Sequence, residues 1–79
     1  MLTGKRYRLN EAILAIDSSG KKRIAITILA GEIIEVIRGP RPDDTRMVDV
    51  KWNGKELVMF LADIHDRGEY IGGGSTAGG

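Results

Sequence analysis

The chain has 79 residues, with 12 lysines and arginines against 11 aspartates and glutamates, one histidine and no cysteine. No disulfide can form and a structural zinc site is nearly excluded, while a net charge of +1 lacks both the basic excess of a dedicated nucleic-acid binder and the charge of an acidic tail. A chain this short makes one domain, which buries only roughly 60% of the surface its unfolded form exposes, so self-association is the reinforcement left to it.

Turn signals recur at short intervals: Asn10, Ser18-Ser19-Gly20, Gly31, Gly39-Pro40-Arg41-Pro42-Asp43-Asp44, Asn53-Gly54 and Gly68. The intervening runs are rich in isoleucine and valine, each long enough for one strand and too short for a helix with its connections, which predicts an all-β fold. A first strand is expected over Glu11 to Asp17, with a short extended piece before it at Tyr7 to Leu9. Ser18 to Lys21 turns the chain into a second strand, Lys22 to Leu29, and Gly31 leads into a third, Glu32 to Ile37. Arg38 to Thr45 is the longest loop, and its two prolines and Asp-Asp pair suit a surface connection. Arg46 to Trp52 is the fourth strand. Asn53-Gly54 fits a type I′ turn, which needs positive φ at both central residues, and pairs the fourth strand antiparallel to a fifth, Glu56 to Leu61. A helical turn over Ala62 to Arg67 closes at Gly68, and Glu69 to Ile71 pairs back towards the start of the chain. Residues 1–71 thus form the domain and 72–79, Gly-Gly-Gly-Ser-Thr-Ala-Gly-Gly, a flexible tail.

The order of five short strands, one long loop, a tight hairpin, a helical turn and a terminal strandlet resembles the Src-homology-3-like small β-barrel. The resemblance rests on Val48-Asp49-Val50-Lys51-Trp52-Asn53-Gly54-Lys55, followed by Phe60 and Asp63-Ile64. It implies a five-stranded antiparallel barrel and no single function, since that superfamily hosts many. Its peptide-binding members use a groove lined by several aromatics, and this chain has four aromatics in all, Tyr7, Trp52, Phe60 and Tyr70. The plasmid-borne trimethoprim-resistant dihydrofolate reductases are similar tiny barrels that assemble around one pore. Where they read Val-Gln-Ile-Tyr, this chain reads Leu57-Val58-Met59-Phe60, without the polar groups that face substrate and cofactor. A small oligomeric enzyme with its site at a subunit junction is an alternative on that resemblance.

Three clusters could carry chemistry. Asp63-Ile64-His65-Asp66 sets the only histidine between two carboxylates, where flanking a helical turn is the simpler role. Asp43-Asp44 follows Pro42, where aspartates commonly satisfy nearby backbone amides. Lys5, Arg6, Arg8, Lys21, Lys22 and Arg23 could grip single-stranded nucleic acid, with only Tyr7 interleaved for stacking. Arg38, Arg41 and Arg46 lie around the long loop, and the acids Glu11, Asp17, Glu32 and Glu35 offset these charges. No residue is assigned as catalytic, cofactor-binding or metal-ligating.

Apolar residues are more numerous than one face of such a sheet needs. Ile24, Ile26, Ile28, Ile34, Val36, Val48, Val50, Val58 and Phe60, with Leu14 and Ile64, are assigned to the interior. The opposite parity still carries Ile13, Leu29, Ile33, Ile37, Met47, Leu57, Met59 and Leu61. At roughly 25 cal/mol per Å², exposing even four of these forgoes several kcal/mol, comparable to the stability of a small domain. An outer face centred on Ile33, Ile37, Leu57 and Met59 is therefore expected to pack against another copy of the chain. The expectation is a non-enzymatic, homo-oligomeric binding or scaffold module for a protein partner, with no cofactor; the alternatives are a single-stranded nucleic-acid-binding barrel and the junction enzyme. No apolar run approaches the roughly 18 residues of a membrane span, and Met1-Leu2-Thr3-Gly4 lacks the core of a secretory signal, so a cytoplasmic location is expected.

Overall fold

A computed structural model of the chain describes residues 3–40 and 42–73. The elements run β1 (Lys5–Leu9), β2 (Ile13–Asp17), β3 (Ile24–Ile28), β4 (Ile33–Arg38), β5 (Met47–Trp52), β6 (Lys55–Phe60), α1 (Leu61–Arg67) and β7 (Gly68–Gly73). All strands join one antiparallel sheet in the order β3-β2-β6-β5-β4-β1-β7. The all-β antiparallel class and the single short helix before the last strand match the sequence reading. The five-stranded barrel does not: among the described residues there are seven strands, because the short extended piece expected at Tyr7 to Leu9 is part of a full strand, β1, between β4 and β7, and the return after the helix is a full strand, β7. The sheet is open, with β3 and β7 at its ends. Gly72 and Gly73, read as the start of the tail, belong to β7; residues 74–79 lie outside the described residues.

The Asn53-Gly54 turn sets the central register. Both residues have positive φ, 53° and 81°, as a type I′ turn requires. Trp52 then pairs with Lys55, Val50 with Leu57, Val48 with Met59 and Met47 with Phe60. Directly opposed residues share a face of the sheet. Val48 and Val50 are fully buried, so Leu57 and Met59 are buried with them. The core is completed by Tyr7 and Leu9 of β1, Ile13 and Ala15 of β2, Ile28 of β3, Ile34 and Val36 of β4, and Ile64, which α1 lowers onto the inner face. Ile26, Trp52 and Leu61 pack at its margin.

This register corrects the face assignment in β6. Leu57 and Met59 were expected to point outward to a second copy, yet they are 1% and 0% exposed inside the chain's own core, while Val58 is half-buried and Phe60 is 42% exposed on the outer side. Five apolar residues in succession leave the inward parity of a strand undefined, and pairing with β5 decides it. The same correction applies to β2, where Asp17 pairs with Ile24, Ala15 with Ile26 and Ile13 with Ile28. Ile13 faces in and Leu14 out, opposite to expectation, and Ile24 is exposed because it sits beyond the core at the end of the margin strand. Met47, assigned outward, keeps that orientation but is covered by its surroundings. Of the four residues expected at an interface, only Ile33, opposite Arg8, is exposed; Ile37 is half-buried at a register shift between Val36 and Arg38.

The core assignment has a direct measure. Met59→Ala and Leu57→Ala should each destabilise the fold by about 2–5 kcal/mol, through lost burial and the cavity left behind, read as a lower midpoint in urea unfolding. Leu14→Ala, on the outer side, should cost well under half as much.

Candidate functional site

The outward parity of three adjoining strands gathers apolar side chains in one place. Ile16 of β2 is the direct partner of Val58 of β6, and Phe60 of β6 is the direct partner of Met47 of β5. These four make the floor of a cleft of about 300 Å³. Its walls are Ser18 and Arg23 from the β2–β3 connection, and Asp43, Asp44 and Arg46 from the loop that follows β4. The floor is apolar and the rim carries both signs of charge, so the cleft suits an apolar side chain attached to a polar backbone.

Local bonding shapes both walls. Asp17 Oδ1 accepts hydrogen bonds from the Ser19 hydroxyl at 2.6 Å and the Ser19 backbone N–H at 3.0 Å. Those bonds, the hydroxyl's first, hold the Asp17 carboxyl below its ordinary value of 3.8. In the other wall, Asp44 Oδ1 accepts from the Arg46 backbone N–H at 3.1 Å and from Arg46 Nε at 3.0 Å, which raises the Arg46 guanidinium above its usual value. Asp44 thus has the turn role read from Pro42-Asp43-Asp44. The loop is held at each end: the Leu61 N–H donates to the Arg46 carbonyl at 2.8 Å, and Gly39, at φ +149°, lies over Val48 so closely that an added Cβ would sit 2.5 Å from Val48 Cγ1.

Phe60 and Arg46 also line a neighbouring depression of about 370 Å³, with Thr45, Leu61, Ala62 and His65. Phe60 is therefore the ridge between two hollows. It is also the residue preceding α1, whose first turn carries Asp63 and whose last turn carries His65 and Arg67, each favourable at its end of the helix. The exposed His65 sits beside Leu61 and Phe60 rather than between converging ligands. Among the described residues, no group of three or more metal-ligating side chains comes together.

A polar cluster on the same face escaped the sequence reading. Arg38 Nε donates to Asp49 Oδ2 at 3.0 Å and Arg38 Nη2 donates to Glu56 Oε1 at 2.8 Å, which raises the guanidinium above its usual value, the Glu56 bond contributing most. Asp49 is 7% exposed. The register shift after Val36 brings Arg38 opposite Asp49, so an arginine expected in the loop belongs to β4. A shallower hollow lined by Ser18, Ser19, Arg38, Asp49, Glu56 and Val58 continues from the apolar cleft. Asp49 between two interior valines marks an outward carboxylate in the sequence, but its partner follows only from the register shift.

The basic residues do not form one stripe. Lys5, Arg6 and Arg8 lie on β1 and Lys21, Lys22 and Arg23 on the β2–β3 connection, with β2, β6, β5 and β4 between β3 and β1 in the sheet. Arg8 is 4.0 Å from Glu69, and the Lys5 ammonium lies over the Tyr70 ring, 5.6 Å from its centroid. Arg41 lies outside the described residues. Among the described residues, no helix is long and apolar enough to cross a membrane. Comparison of the chain with protein-family models, with curated proteins and with solved structures returns no match.

The Asp17 turn gives a pH prediction. Its folded carboxyl lies below 3.8, so its stabilising contribution is present above that value and is lost as pH falls through the lowered one. Ser19→Ala should return the carboxyl towards 3.8 in an NMR titration of the Asp17 side-chain carbon, and should flatten the acid end of the stability profile.

Proposed function

We propose that the protein is a non-enzymatic binding module that takes an apolar segment of a protein partner in the cleft between the β2–β3 connection and the loop before β5. The observation that carries this reading is the floor of Ile16, Met47, Val58 and Phe60, open to solvent at Phe60 and enclosed by Arg23, Asp43, Asp44 and Arg46. A large ring left 42% exposed on the ridge between two hollows is the arrangement of a binding anchor rather than of a core residue. The arginines and aspartates on the rim match charged residues of either sign on the segment's flanks and fix its direction. The order of strands, long loop, hairpin and helical turn is similar to that of Src-homology-3-like domains, where small sheets present loops around a recognition surface.

Selection from a displayed peptide library, followed by NMR shift mapping, tests the reading. Ligands should be apolar at their centre, should shift the amides of residues around Val58 and Phe60, and should lose about thirtyfold in affinity to Phe60→Lys while the fold persists. Ligands that map elsewhere, or an affinity indifferent to Phe60→Lys, overturn it. A preference instead for single-stranded oligonucleotides, falling steeply with salt and abolished by charge reversal at Lys21-Lys22-Arg23, would point to the basic β2–β3 connection.

A further inference from the structure

The two margins of the open sheet differ. β7 carries Gly68, Gly72 and Gly73, and its pairing with β1 shifts register between Arg6 and Tyr7, features that make a poor template for a further strand. β3 reads Ile-Ala-Ile-Thr-Ile, with no charge, no proline and no register shift along five consecutive pairs with β2. Among the described residues, no strand pairs with the other side of β3. Ile24 is 57% exposed and Leu29, just past its end, 64%. A flat, uncharged, branched margin strand of this kind is one that soluble proteins normally blunt.

We infer that β3 is a dimerisation edge, paired antiparallel with β3 of a second copy across a two-fold axis at Ile26. Three features select a copy of the same chain. The strand is palindromic in character: in this register Ile24 faces the partner's Ile28, Ala25 its Thr27 and Ile26 its Ile26, so the isoleucines stay on the inner side and Ala25 and Thr27 on the outer. The β2–β3 ribbon is electrically polar along its length, since Lys21, Lys22 and Arg23 outweigh Asp17 at its tip while Glu11 and Glu32 stand at its root beside Ala12 and Gly31. Antiparallel pairing brings each basic tip beside the other copy's acidic root, whereas a parallel arrangement sets tip against tip. The pairing also covers Ile24 and Leu29, the two most exposed large aliphatic residues of the described chain. It uses the edge and leaves the floor of the outer-face cleft free, sharing with that cleft only Arg23 of its rim.

The chain has no cysteine, which makes single-cysteine cross-linking clean. Side chains directly opposed across an antiparallel pair are about 5 Å apart at Cβ and diagonal ones about 7–8 Å, so only opposed pairs close readily into a disulfide. Under copper-phenanthroline oxidation, a mixture of Ala25→Cys and Thr27→Cys should cross-link several-fold faster than either variant alone, and both positions are exposed, so the fold tolerates them. Sedimentation of the unaltered chain should show a monomer–dimer equilibrium. Lys21→Glu with Lys22→Glu should weaken it about tenfold at low ionic strength, and Phe60→Lys should leave it unchanged. A concentration-independent monomer, a dimer in which the mixed variants cross-link no faster than each alone, or growth beyond a dimer overturns the inference.

Discussion

Two residues in the left-handed region, Asn53 and Gly54, determine which side of β6 meets the core. Because the turn is two residues long, it leaves no freedom in the pairing that follows, and Leu57 and Met59 are placed against Val50 and Val48. Everything on the outer face follows from that placement. With Leu57 and Met59 turned in, Val58 and Phe60 must turn out, and because Val58 pairs with Ile16 and Phe60 with Met47, an apolar floor forms across three strands. A slip of one residue would bury Phe60 and dissolve both the cleft and the core.

The apolar surplus that the composition carries is accommodated in two ways. Most of it is absorbed by the inner face of the sheet, to which β1 adds Tyr7 and Leu9 and α1 adds Ile64. What remains outside is spread over the sheet: Phe60 of β6, Ile24 of β3 and Leu29 just past it, with Leu14 of β2, Ile33 of β4 and Tyr70 of β7. The loop before β5 is built to hold a shape, through Asp44 and Arg46 at one end and the close seat of Gly39 on Val48 at the other. The Arg38–Asp49–Glu56 cluster similarly braces β4, β5 and β6 on the same side.

Strand positions were legible in the sequence wherever glycine, proline or Asn-Gly punctuated an isoleucine- and valine-rich run, and the hairpin, the helical turn and the return of the last strand all follow from that punctuation. Facing was not read from alternation in β6, since Leu57 to Leu61 has none, although counting pairs outward from Asn53-Gly54 with Val48 and Val50 taken as interior yields the observed orientation. In β2 the six-residue connection from Ser18 to Arg23 leaves the register open, so Ile13 and Leu14 could not be told apart without the structure. The floor of the cleft was invisible for the same reason, because Ile16, Met47, Val58 and Phe60 meet only once both registers are known. The Arg38–Asp49 pair depended on a register shift that no local pattern announces.

The single tryptophan has a location with a practical consequence. Trp52 ends β5 half-buried, and its indole N–H donates to Glu32 Oε1 at 2.9 Å, joining the hairpin tip to the turn that follows β3. Its fluorescence is thus a native optical gauge of that one corner of the molecule, sensitive to loosening there and requiring no added dye.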